Sequence, residues 1–303
     1  MSGQRRLESG QACEPVGQQE FVMDVACSNP ASPVHESPVD NDIFGSSIYY
    51  RLFLEAETVR WRMGDIPWSS IDTRSVPRAW IALAREIAYT ELTPFNATAQ
   101  YLQDYASNID FTQWATVWLY EEMKHPQAMI RWLHEFGETV DSRFVMEGRK
   151  VEIIPSLMAT LVTNVYAEVL AWSMYMLISK RSPEPVLAQV TRLLAGDEAR
   201  HASGFYSYAK KLLATSDNPD RERLTALKVM YFWAETNHRV EHPVNLFLRR
   251  MADRPEVLDA IPLADFQACA KKMYARVYPL LGNLLGLRIN NVDDISQHLK
   301  ALR

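Results

Sequence analysis

The chain has 303 residues, 48% of them hydrophobic and 23% charged, and a formal net charge of -5. That length suits one large buried core, and so acidic a balance offers no basic face to a nucleic-acid backbone. Cys13, Cys27 and Cys269 are odd in number and far apart, which argues against a disulfide framework or a thiolate metal site and favours a reducing cytoplasm.

Residues 1–45, clearest in "SNPASPVHESPVDND", lack a sustained apolar period and predict a disordered or loosely attached arm. Arg5 and Arg6 are followed by no apolar segment, and no apolar run approaches the roughly 20 residues that span a bilayer, so neither export nor a membrane is expected. From Ser46 onward the apolar period is helical, over 47–63, 77–104, 111–136, 155–180, 184–214, 220–252, 262–284 and 293–302, with no strand or hairpin signal between the runs. Pro77, Gly137, "SKRSPEP" and "TSDNPD" supply the breaks. Long helices joined by short turns predict an all-α bundle.

Within these runs, Glu and His recur three residues apart at Glu122 and His125, Glu198 and His201, and Glu235 and His238. That spacing turns both side chains to one face of a helix, about one turn apart, so that they can hold one metal ion. Three of the seven histidines show it, where chance gives about half a pair. A carboxylate-bridged two-metal bundle needs two such pairs and a single inward Glu from each of two further helices. Glu168, the only acidic residue between Glu152 and Glu184, supplies one; Glu86 or Glu91 supplies the other. Four carboxylates balance two divalent ions, which explains why a Trp-rich run such as "VWLYEEMKHPQAMIRWL" can bury Glu122 and His125. Glu and imidazole suit iron or manganese. Glu121, about 100° round the helix from Glu122, is expected outside the ligand set, and Glu235 and His238 read as a surface pair running into Pro243.

Three segments resemble the soluble acyl-carrier-protein desaturases of the ferritin-like di-iron superfamily, over roughly residues 46–250. "WATVWLYEEMKHPQAMIRWLHEFGETVD" is similar to that family's Trp-rich E-E-x-x-H helix, "AGDEARHASGFY" to its D-E-x-R-H motif, and "TELTPFNA" to its T-E-E-x-x-P segment. The resemblance implies a ferritin-like four-helix bundle with additional flanking helices over 46–303. Its metal ligands would be Glu91, Glu122, His125, Glu168, Glu198 and His201, with Pro94 favouring Glu91 over Glu86. It also implies two iron ions, O2 as co-substrate, an electron donor such as a ferredoxin, an acyl or similar apolar substrate, free or carrier-protein-bound, and room for a homodimer. Asp197 would orient His125, with Trp61 or Trp68 extending the route to the surface.

Pro126 and Ala171 depart from the family pattern at positions where Gly and Thr are common, and the substrate is therefore open. A di-iron N-oxygenase is the alternative, although Leu194 and Ala195 stand where some of those enzymes carry an extra His. Basic pairs that could meet an acidic carrier are Arg149 with Lys150, Lys180 with Arg181, and Arg249 with Arg250.

Overall fold

The computed structural model describes residues 47–151, 155–234, 250–251 and 253–301. The expected arm over 1–45 lies outside the described residues, as do Glu235, His238, Pro243 and Arg249.

The chain is all-α, and no strand occurs among the described residues. Helix α1 spans Ile48–Val59, α2 Arg78–Thr90, α3 Thr93–Asp104, α4 Ile109–Glu122, α5 Lys124–His134 and α6 Ser142–Gly148. Then follow α7 at Leu157–Arg181, α8 at Pro185–Thr215, α9 at Pro219–Ala234, α10 at Pro255–Leu258, α11 at Leu263–Leu285 and α12 at Val292–Ala301. Side chains of the starting residues take up orphan backbone donors: Ser47, Asn108, Asp141 and Ser156 each accept from the third residue on, and Glu184 accepts from the amides of Val186 and Leu187. Gly286, at φ 69°, closes α11 in the left-handed conformation that glycine adopts without strain.

Two of the expected long helices are interrupted. The run over 77–104 divides at Glu91 and Leu92, because Pro94 has no amide proton to donate to the Thr90 carbonyl and its ring crowds that carbonyl. The run over 111–136 divides at Met123, where Pro126 has the same relation to the Glu122 carbonyl; Met123 keeps helical angles of φ -62° and ψ -20°. By contrast, α7 and α8 run unbroken for 25 and 31 residues.

These two long helices pack on each other along their length, and α9 and α11 cover the far side of α7. On the other side α2 packs on α5, α3 on α4, and both α4 and α5 reach α8. By length and composition α7 could cross a membrane, contrary to the sequence expectation that no run is long enough. Its apolar surface is spent on burial instead: Leu161, Val162, Val165, Tyr166 and Ile178 are fully enclosed. Close approach of α4 and α8 requires Gly204, since a β-carbon there would collide with the Trp114 ring. The seven-residue α6, too short to show a period, lays Gly148 against the α2–α3 interruption; a β-carbon on Gly148 would lie 2.7 Å from Leu92 Cδ1 and 2.8 Å from the Tyr89 carbonyl.

Candidate metal centre

The structure brings all six expected ligand residues together in the middle of this bundle. Glu91 caps the C-terminus of α2, Glu122 ends α4, and His125 lies in the first turn of α5. Glu168 lies in α7, and Glu198 and His201 share one face of α8. Their donor atoms form two groups: Glu91, Glu122, His125 and Glu198, and then Glu122, Glu168, Glu198 and His201, each with its ligand atoms within 4.8 Å of one another. Glu122 and Glu198 belong to both groups, so either group would draw on them to hold a metal ion.

The imidazoles point inward through the same atom. His125 Nδ1 lies 3.3 Å from Glu91 Oε2, 3.3 Å from Glu122 Oε2 and 3.4 Å from Glu198 Oε1. His201 Nδ1 lies 2.8 Å from Glu122 Oε1, 3.5 Å from Glu198 Oε2 and 3.8 Å from Glu168 Oε2. Although so close to Glu122, His201 Nδ1 is buried without a hydrogen bond of proper alignment. Carboxylate oxygens and imidazole nitrogens converging on one small region are what metal ligands present.

Charge supports the same fit. Among the described residues, the only cationic groups within 4 Å of Glu91, Glu122, Glu168 and Glu198 are the two imidazoles. Four carboxylates enclosed with so little positive charge are costly unless cations join them. Without a metal the cluster compensates by holding protons. Burial pushes Glu91 up to about 7, and burial together with the neighbouring Glu198 pushes Glu168 well above the carboxylate range. For Glu198 burial is outweighed by the hydrogen bond from Glu168 and by His125, and it lies below that range. Burial also works against charging the imidazoles, but the surrounding carboxylates, Glu122 foremost, hold His125 and His201 well above the ordinary histidine value.

Behind the cluster lies a second layer with crossed connections. Asp197, beside Glu198 on α8, meets His125 Nε2 at 3.2 Å; Glu121, beside Glu122 on α4, meets His201 Nε2 at 3.2 Å. Each motif thus orients the imidazole of the other. Here protein cations balance the charge: Arg200 bonds both acids, Lys124 Nζ lies 3.6 Å from Asp197 and Arg60 Nε 3.6 Å from Glu121. Despite burial, hydrogen bonding to His201 holds Glu121 at about 2, and that to His125 holds Asp197 below the carboxylate range. The expected link from Asp197 to a tryptophan runs through Trp61, whose Nε1 donates to Asp197 Oδ2 at 2.7 Å. Trp68 does not extend it, since its indole donates to the Met63 carbonyl.

Glu86, the other candidate for the first ligand, is buried but occupied elsewhere. Arg250 Nε donates to Glu86 Oε2 at 2.6 Å and Arg254 Nη1 lies 2.8 Å from Oε1, which ties α2 to the segment leading into α10. Three of the basic residues considered for an acidic partner are likewise engaged internally. Arg149 stacks over Phe95, Arg181 pairs with Asp265, and Arg250 pairs with Glu86. Sequence reasoning missed Tyr175, a buried phenol on α7 that donates to Glu91 Oε1.

No protein-family model and no curated protein matches the chain. The case for a metal centre is therefore the geometry of these residues: a buried Glu and His cluster able to hold metal.

Proposed function

We propose that the chain is an O2-dependent di-iron oxidoreductase, desaturase-like, that acts on an unactivated C–H bond of an acyl or similar apolar substrate, free or carrier-bound. The observation that carries this reading is the sharing of Glu122 and Glu198 between two ligand groups, one completed by Glu91 and His125 and the other by Glu168 and His201. Two ions bound there would be bridged by carboxylates, and the all-oxygen-and-imidazole donor set suits iron, with manganese as the other candidate. Bound iron would supply oxidising power from O2, which no side chain in the cluster can provide.

The chain's own residues supply three further requirements. Met129, Leu194 and Trp118, all buried, line the helices beside the ligands and keep bulk water from them. Asp197 and Glu121 fix the ring orientation of His125 and His201. The bonded series His125, Asp197 and Trp61 offers electrons a continuous path outward, towards a donor such as a ferredoxin. The resemblance of the two E-x-x-H segments to acyl-carrier-protein desaturases points to the same reaction class, and the three widely spaced cysteines suit a reducing cytoplasm.

Anaerobic loading with Fe(II) followed by O2, with metal content and the visible spectrum recorded, tests the proposal. Two irons per chain and a transient absorption band after O2 are expected. Natively helical protein that takes up no iron would sink it.

A further inference from the structure

Of the four carboxylates in the cluster, Glu91 is the least constrained by its surroundings. It stands at the interruption between α2 and α3, with φ -71° and ψ 1°, and its side chain is 11% exposed, against 2–6% for Glu122, Glu168 and Glu198. Glu122 and Glu198 each lie against both imidazoles, whereas Glu91 meets only His125, and only through Oε2. Its other oxygen is taken by Tyr175, two helical turns beyond Glu168 on α7 and 3% exposed.

We infer that Tyr175 is a positioning residue that occupies Glu91 Oε1, so that Glu91 presents only Oε2 to the metal site and the group around His125 keeps a position open for an exogenous ligand. The inference rests on the di-metal reading above and adds to it which of the two positions is the open one. A phenol donating to a carboxylate makes a charge-assisted bond, strong enough to hold a side chain that its backbone leaves loose. Gly148 packs against the Tyr89 carbonyl and the Leu92 side chain, on either side of Glu91, and limits the same interruption from outside. In the His201 group, by contrast, Glu168 sits mid-helix and all four residues are buried.

The test uses full-length protein loaded with Co(II), whose visible absorption reports coordination number, and azide as the exogenous ligand. Wild type is expected to take two cobalt ions and to bind azide. Tyr175→Phe should keep both ions, shift the spectrum towards higher coordination as Oε1 is released, and bind azide about tenfold more weakly, the scale of one hydrogen bond to a charged group. On a Glu91→Gln background the same change should add nothing, because Tyr175 acts through that carboxylate. An unchanged spectrum and azide affinity in Tyr175→Phe, an effect that persists undiminished beside Glu91→Gln, or outright loss of an ion each overturns the role. Wild-type protein that binds no cobalt overturns the metal reading itself, a different failure that is read before any variant is made.

Discussion

The two halves of the bundle deliver three ligands each, by opposite means. The pair α7 and α8 carries Glu168, Glu198 and His201 in the interiors of unbroken helices, where each side chain direction is dictated by helical turns on both sides. On the other half, Glu91, Glu122 and His125 all sit at or beside interruptions that Pro94 and Pro126 create. Equal motif spacing therefore conceals unequal mechanics. The continuous half is a fixed wall, and the interrupted half is where a ligand can be adjusted; Tyr175 reaches from that wall to Glu91, whereas Trp61 bonds to Asp197 on the wall itself.

The largest effect should come from Glu122 and Glu198, one from each half, which belong to both ligand groups. Glu122→Ala or Glu198→Ala is expected to abolish binding of both ions, whereas Glu168→Ala or Glu91→Ala should leave about one per chain; metal analysis of the purified variants decides. Equal losses in all four would erase the distinction between shared and single ligands.

Acidity, next in size, cuts across the halves, since Glu168 is raised as Glu91 is. In the metal-free protein Glu91 has a folded value of about 7, above its unfolded value of 4.5. A raised value means stability that is fully present below 4.5 and lost as pH rises through 7, on the order of 3 kcal/mol from this group. His125 and His201, also raised, act in the same direction above about 6.5. Metal replaces those protons, so the rise in melting temperature on adding Mn(II) should grow between pH 5 and pH 8. Calorimetry showing a constant increment over that range would contradict the assignment.

A smaller contrast concerns the two close-packed glycines. Gly204→Ala, which forces the Trp114 ring off α8, should cost about 1–3 kcal/mol in chemical denaturation with little change in metal affinity per folded molecule. Gly148→Ala pushes on the residues flanking Glu91 and should weaken metal binding as well as the fold. The smallest effect is expected from Asp197→Asn. The variant should retain both ions with about tenfold lower affinity and be reduced more slowly, seen in anaerobic stopped-flow, because the amide keeps the shape but loses the charge that orients His125.

The amino-acid sequence announced the helices because their apolar period is long, and most predicted ends fall within two residues of those observed, as at α7 and α11. It announced the ligands because Glu three residues before His is rare, and because a lone Glu168 in an apolar helix needs a partner. The choice of Glu91 over Glu86 rests on the resemblance and on Pro94 alone: both lie near one helix end, and what engages Glu86 elsewhere is Arg250 and Arg254, some 164 residues away in the case of Arg250. Tyr175 was hidden for a similar reason, since a tyrosine in a Met-rich helix reads as packing until the chain brings Glu91 beside it. The two interruptions were visible only as prolines, and their coincidence with Glu91 and Glu122 becomes meaningful once those residues converge.

The crossed grip of Asp197 on His125 and Glu121 on His201 also matters during synthesis. A ribosome delivers Glu91, Glu122 and His125 well before Asp197, Glu198 and His201 exist, and the first three alone lack both a second bridging carboxylate and the acid that aims their imidazole. A nascent chain ending before α8 should bind no more metal ion than an unfolded one of the same length, so the centre would fill only once both halves are in place.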